Sequence, residues 1–587
     1  MISGIRENLS NTSLKDALLL VCLSCLIVFF LAINSDYFPA GFWGGLVVFL
    51  FTLCLLFACW LFLMSGLKDP SKALNFARLS LSPFLLLLFL IPYSFFYTHI
   101  DGLKPFVCLG FILAGALIFN AVLKNDVLKK DKLQYFIPVV AAVYALYFGA
   151  IRVLRHINYQ NTSSFDVALY SQIQWNNIHG RFFQSSISGS NFVTHNSPFL
   201  ILLSPFYALY PHPETLLILK TLFLAVSLLP FCLILKETVS ERSVFPLAVG
   251  YLFFPFMVGQ NFNAPHEMCF LPPFLLFSFY FYLKNRFKLF LIFLLLSLSV
   301  KEHMALVSVL YGLYALYLKK SKRWIIVPVL LGVAWGGFSL WIIAHFQSIY
   351  HVDPYPAWLI DNIKTRFLRP DHSFWSNIVW GLKTSVLGQT SSLFSIYLLL
   401  SPLLLFLPFY SSVWVLGLPE MAINLLATLP LSYPTWNYDI VASVFLLIAS
   451  AQAVRKISLN PLLSRLELAP DKFQELLAWL LCISVLCHFF LWWDYTEIKQ
   501  DPRYVKTINA ALGLVPQEAS VSLNKFLAAY VTDRKDYFLC EDKRKGDYIV
   551  LARDDHAQDC FKTLQQAALY APIFNQEGVR VLRRAPD

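Results

Sequence analysis

Asp166, His195 with Asn196, His266 with Glu267, the run Lys301–Glu302–His303, Glu420 and Tyr433 are ionisable or hydrogen-bonding side chains set beside long apolar runs. Such groups are expensive near hydrocarbon, so each needs a partner, a wet cavity or a function. A carboxylate can take the proton of an attacking hydroxyl. Lysine and histidine pair with phosphate oxygens. Together these residue types suit a reaction between a lipid-borne phosphate and a polar acceptor. Each also has a plainer reading. Asp166 opens the stretch FDVALYSQIQWNNIHGRFF, where an acid can simply cap a helix or match its dipole. In that stretch Val167, Ile173 and Ile178 fall on one side, and Gln172, Asn176 and His179 on another. Glu267 also suits a helix start, and His195 suits a structural donor. Lys301 and Glu302 are adjacent and can neutralise each other. Glu420 has Asn424 one helical turn later.

The elements that would position these groups are membrane helices. Of the 587 residues, 58% are hydrophobic and only 14% charged, against about 25% charged in a soluble domain. That balance excludes a soluble enzyme, a nucleic-acid binder and a disordered scaffold. Apolar runs of spanning length occur at 17–34, 42–65, 80–97, 104–123, 134–152, 214–236, 243–260, 270–284, 287–300, 303–318, 324–346, 393–409, 411–428, 438–453 and 473–492. They predict an all-α polytopic protein with about fifteen crossings. The net charge of +11 fits lysine and arginine held in cytoplasmic loops. With the N-terminus inside, the inner loops hold Lys124, Lys129, Lys130, Lys284, Arg286, Lys319, Lys320, Arg455 and Lys456, among others. The short outer loops near 36, 264 and 433 hold no lysine or arginine. This orientation brings Asp166, His195, His266, Glu267, Lys301 and Tyr433 to one outer face, although none of them was used to derive it.

Two loops, 153–212 and 347–391, do not span. The second interleaves His351, Tyr355, Trp358, Phe367, Trp375 and Trp380 with charges, as interfacial amphipathic helices do. Residues 494–587 read as a small extracytoplasmic α/β domain, with ASVSL, DYFLC, DYIVLA and GVRVL as short strands. The chain thus divides into N-terminal helices (1–133), a transmembrane core (134–493) and the soluble domain. Cys540 and Cys560 lie in its polar stretch, and on the oxidising side of a membrane they predict a bridge.

Five segments, FDVALYSQIQWNNIHGRFF, THNSPFLILLSPFYALYPHPETLLILK, APHEMCFLPPFLLF, VKEHMALV and LPEMAINLLATLP, resemble in order and spacing a family of large bacterial membrane proteins named only as a domain of unknown function. That family is similar to the GT-C glycosyltransferases, such as the aminoarabinose transferases and protein O-mannosyltransferases. The resemblance covers about residues 145–455. It implies a GT-C-like core in the bacterial inner membrane, a juxtamembrane rather than spanning run at 198–210, and a polyprenyl-phosphate sugar as donor. The acceptor would be a glycan, lipid or protein. Asp166 would be the essential acid of the first loop, Glu267 the acid of the second, and Lys301 the lysine between two short helices. His195, Asn196, His266, Glu302, Glu420 and Tyr433 would contact substrate. The resemblance fixes no cofactor and leaves a divalent cation open. The chain departs from the pattern in flanking Asp166 with Phe165 and Val167 instead of a second acid. Two other readings compete: a transporter or flippase of a lipid-linked glycan, and an inactive scaffold.

Overall fold

The computed structural model describes residues 133–585, apart chiefly from 161–163, 353–360, 385–395, 427–437, 459–468, 492–500, 541–544 and 553–569. The expected spans before residue 124, and Tyr433, lie outside the described residues. Six described helical segments are long and apolar enough to cross a membrane. They are Leu133–Ile157, containing α1 (Ile137–Ile157); Pro213–Thr238, formed by α3 (Pro213–Val226) and α4 (Leu228–Thr238); and Glu241–Phe262, formed by α5 (Glu241–Leu252) and α6 (Pro255–Phe262). The others are α10 (Lys322–Tyr350), α13 (Ile440–Ser458) and α14, whose spanning part is Pro470–Phe489. Shorter apolar helices sit among them, including α7 (Pro272–Leu283), α8 (Phe287–Val300) and α9 (Met304–Tyr317). On α1 and α10 the side chains of Leu146, Leu330, Val333 and Trp341 stay exposed, as a lipid-facing row requires.

One expected span is corrected. The run 393–409 holds 3₁₀ turns at Ser401–Leu403 and Leu407–Tyr410 in place of a continuous helix. Pro402 and Pro408 each remove a helical donor, and Leu404 and Leu405 take positive φ, so the apolar run cannot propagate. The run after Ser197 is likewise no span: it is a 3₁₀ segment, Pro198–Leu203, followed by a single helical turn.

Helices α9 and α10 pack most closely where they lack side chains. A Cβ at Gly332 would lie 2.5 Å from the Ala305 carbonyl oxygen, and one at Gly312 would lie 2.5 Å from that of Ile325. Small residues allow this approach between membrane helices. Because the obstacle is backbone, Gly332→Ala is expected to cost about 1–3 kcal/mol, read as a lower unfolding temperature in detergent. An unchanged melting curve would contradict the close packing.

The C-terminal domain places α15 (Pro502–Leu512) beside a five-stranded sheet of order β4-β3-β5-β7-β6. Its strands are β3 (Val521–Leu523), β4 (Tyr537–Leu539), β5 (Tyr548–Leu551), β6 (Tyr570–Gln576) and β7 (Val579–Arg584). Strands β4, β3 and β5 run parallel, whereas β7 is antiparallel to β5 and β6. The central β3 and β5 are buried along their whole length, which explains their unbroken apolar runs. Glu577 and Gly578, both at positive φ, form the two-residue turn of the β6–β7 hairpin. Four strands fall on the four expected bursts. β6 was not anticipated, because Pro572 and a bulge between Pro572 and Phe574 interrupt its alternation. Cys540 is disulfide-bonded, and Cys560 lies outside the described residues.

The domain sits on α2 (Ser164–Ile178) and on the ribbon of β1 (Gln184–Ser185) and β2 (Gly189–Ser190). Gln172 Nε2 donates to the carbonyl of Lys535 at 3.0 Å, and Ser186 Oγ donates to that of Tyr537 at 2.6 Å. The Tyr159 and Tyr530 rings meet at 4.2 Å, and His156 stacks on Tyr530 at 4.6 Å. Consequently the polar side of α2 is as buried as the apolar side: Val167, Ile173, Gln172 and Asn176 are all enclosed.

Candidate functional site

The site forms where four backbone breaks meet at the end of the helices that carries the C-terminal domain. The first is the start of α2, where Asp166 lies in the opening turn, half-buried, and Tyr170 follows four residues later on the same face. The second is the loop after α6. Here Asn263–Pro265 lead into a 3₁₀ turn, Glu267–Phe270, and Pro272 and Pro273 start α7. The third is the gap between α8 and α9, where Lys301 is extended and ends one helix before His303 begins the next. The fourth is the start of α13, preceded by Tyr438 and Asp439 and approached by α12 (Leu418–Leu426).

Glu267 is fully buried at the centre. Its Oε1 lies 2.8 Å from Lys301 Nζ, and its Oε2 accepts from the Tyr170 hydroxyl and lies 3.2 Å from His266 Nδ1. Lys301 Nζ also reaches His266 Nε2 at 3.4 Å. His266 Nδ1 also accepts the Met268 backbone N–H at 3.5 Å. Burial lowers the His266 pKa to about 3, against the opposing pull of Glu267, so this ring is neutral at pH 7. Burial opposes the charge on Glu267, yet His266 and Lys301 draw it below the usual carboxylate range. Because His266 is neutral, Lys301 is the cation that keeps Glu267 ionised.

A second group adjoins the first. Glu302 Oε1 lies 3.0 Å from His195 Nδ1, and Oε2 accepts the Asn196 backbone N–H at 3.2 Å. Asn196 Nδ2 donates in turn to Ser339 Oγ on α10 at 2.8 Å. Burial works against the Glu302 charge, but His195 and Lys301 bring its pKa down to about 2. Glu420 accepts the Ala442 N–H at 2.8 Å, at the start of α13, and lies 3.8 Å from His303 Nε2. Asn424 Nδ2 donates to Asp439 Oδ1 at 2.7 Å.

Of the sequence candidates, the fold thus brings Glu267, His266 and Lys301 into direct contact. His195, Asn196 and Glu302 adjoin them. Asp166 acts electrostatically on the hydroxyls of Tyr170 and Tyr438, and Glu420 borders the cluster through His303. Tyr433 is outside the described residues. Tyr170 was missed, and its only signal was the i+4 spacing from Asp166. Arg152 and Lys220 were missed as well; both are fully buried beside the loop that carries Glu267. His195, His266 and Glu267 offer donor atoms within 4.8 Å of one another, a spacing suited to a divalent cation. The ammonium of Lys301 already supplies a positive charge at that point.

Asp439 provides a pH test. Burial raises its carboxyl to about 7, moderated by Asn424, while the unfolded value is near 3.9. The folded state therefore holds the proton more tightly. The associated stability is present below about pH 4 and is lost as the pH rises through 7. Asp439→Asn removes this slope, so wild type should lose unfolding temperature relative to the variant between pH 5 and 8. An equal gap at both pH values would rule the assignment out.

A family model described as a predicted membrane protein, DUF2079, matches residues 156–581. The chain belongs to the DUF2079 family. Members of DUF2079 are described as membrane proteins, and the six candidate spans agree with a multi-pass chain. The domain-of-unknown-function family expected from the motifs is thereby shown. No curated protein matches the chain. Among solved structures, the crystal structure of ArnT from Cupriavidus metallidurans bound to undecaprenyl phosphate is similar at 9% identity and a TM-score of 0.44, covering 76% of this chain and 99% of that one. Its apo state is similar at 9% identity and a TM-score of 0.40, over 76% of this chain and 100% of that one.

Proposed function

We propose that this DUF2079 protein is an inverting membrane glycosyltransferase that moves a sugar from a polyprenyl phosphate to an acceptor at the extracytoplasmic face. The observation that carries the reading is the placement of Asp166. It is the carboxylate in the opening turn of a helix fixed on one side by the Tyr170–Glu267–Lys301 set and on the other by the C-terminal domain. Such a carboxylate can accept the proton of an acceptor hydroxyl as the oxygen attacks the anomeric carbon. Buried Glu267 then serves to position α2, and Glu302 to orient His195. The donor class rests on the motif resemblance. A transporter would hold its charged site near the bilayer midplane, whereas these groups gather at one end of the helices.

Mass spectrometry of lipid-linked glycans in cells with and without the protein is the deciding measurement. Accumulation of one polyprenyl-phosphate sugar on deletion, with loss of a glycan product, is expected; unchanged pools would overturn the reading. The extracytoplasmic placement is tested by Glu518→Cys, an exposed position in the C-terminal domain. It should label in intact cells with an impermeant maleimide, and labelling only after permeabilisation would reverse the orientation.

A further inference from the structure

Arg152 on α1 and Lys220 on α3 are both fully buried, and both donate to one acceptor, the Asn263 carbonyl, the arginine at 3.3 Å. Among the described residues no carboxylate contacts either of them. Among the described residues, Arg152 Nε and Nη1 have no hydrogen-bond partner, and neither do the amide nitrogens of Gln260 and Asn263 close by. The place therefore gathers two basic side chains and several idle donors around one carbonyl. A helix C-terminus carries roughly half a negative charge, so capping α6 calls for one cation at most. Two uncompensated buried cations cost far more than any cap returns.

We infer that Arg152 and Lys220, with the Gln260 and Asn263 amides, form an anion site that takes a phosphate monoester. Charge selects the ligand class, because a phosphate monoester carries about −1.5 to −2 near neutral pH and matches the pair, whereas a halide or a phosphodiester would leave one cation unpaired. Location agrees. Ala264, next to Asn263, packs on Val167, which follows Asp166, so the loop that carries the Asn263 carbonyl lies beside the start of α2. On the neighbouring surface of α1 and α3, Leu154, Ile218 and Leu222 are exposed. The inference deepens the glycosyltransferase reading and rests on it for its role. When the bond from the anomeric carbon to the phosphate oxygen breaks, its electron pair stays on that oxygen. The donor diester then becomes a carrier monoester with one more negative charge, while the acceptor oxygen forms the new bond and its proton goes to Asp166. A doubly cationic site favours that product charge, and so the transition state that develops it.

The test is ligand-dependent thermal unfolding of the full chain in detergent and phosphate-free buffer. The probes are inorganic phosphate, farnesyl monophosphate, and a farnesyl methyl phosphodiester as the single-charge control. Farnesyl monophosphate is expected to raise the unfolding temperature saturably, with an affinity at least tenfold tighter than the diester. If inorganic phosphate does as well, the ligand is free phosphate; if only the prenyl ester does, it is the lipid headgroup. No saturable shift with either monoester, or equal affinity for the diester, overturns the inference. Lys220→Glu supplies the missing carboxylate to Arg152. It should be at least as stable as wild type without ligand and lose the shift at least tenfold. Lys220→Met serves if that variant fails to fold, and a wild-type response in the folded variant also overturns the site. Binding is read without turnover. A protein that binds monoester but leaves cellular glycan pools unchanged retains this site and removes the proposed reaction, and the converse result does the reverse.

Discussion

Asp166→Asn is expected to fold, insert and accumulate like wild type while transferring sugar about 10²–10⁴-fold more slowly, the usual contribution of a positioned general base. The variant discriminates well because asparagine keeps the shape of aspartate and caps a helix comparably. If Asp166 merely starts α2, the amide should do the same work and glycan products should be unchanged. If it takes the acceptor proton, the lipid-linked donor should accumulate in cells whose membranes contain normal amounts of protein. Wild-type product levels from Asp166→Asn would remove this residue from the chemistry.

The second large effect is on stability. Lys301→Met leaves the fully buried Glu267 without its cation, and breaking a buried pair in this way typically costs about 3–5 kcal/mol. His266 is neutral and cannot take over the lysine's role. Lys301→Met is therefore expected to unfold at a much lower temperature in detergent. The double variant Lys301→Met/Glu267→Gln should recover a large part of the loss, because no unpaired charge remains. A single variant as stable as wild type would mean that the Glu267–Lys301 pair contributes nothing to the fold.

The legible part of the site consists of charges that interrupt apolar runs. Lys301, Glu302 and His303 stand out because they separate two runs too short to span, and the helix ends at Val300 and Met304 fall where they separate. His266 and Glu267 stand out for the same reason. Arg152 and Lys220 were invisible to that logic. Each is a single cation inside or at the edge of a long apolar run, and a hydropathy scan averages it away. Only the fold shows that the two meet. Tyr170 was hidden differently: an aromatic in an aromatic-rich helix carries no mark of its hydrogen bond to Glu267. The error at 393–409 has the same root, since hydropathy counts apolar side chains and ignores the proline donors missing from the backbone. The strands of the C-terminal domain were readable from short apolar bursts between turns. Its seat on α2 was not, because the polar face of that helix looks like a face made for water.

The docking of residues near 530 onto α2 has a consequence for the order of events during synthesis. Ser186 and Tyr537, which share a hydrogen bond, are separated by 351 positions in the chain. Domains generally acquire structure as they leave the ribosome, the earlier ones first. Here the helix bearing Asp166 waits for this support until every described span has been made and the C-terminal domain has folded. A nascent chain arrested midway has the carboxylate but lacks the wall behind it. Synthesis of the residues around 530–537 thus completes the surroundings of Asp166, which an earlier part of the chain cannot assemble alone.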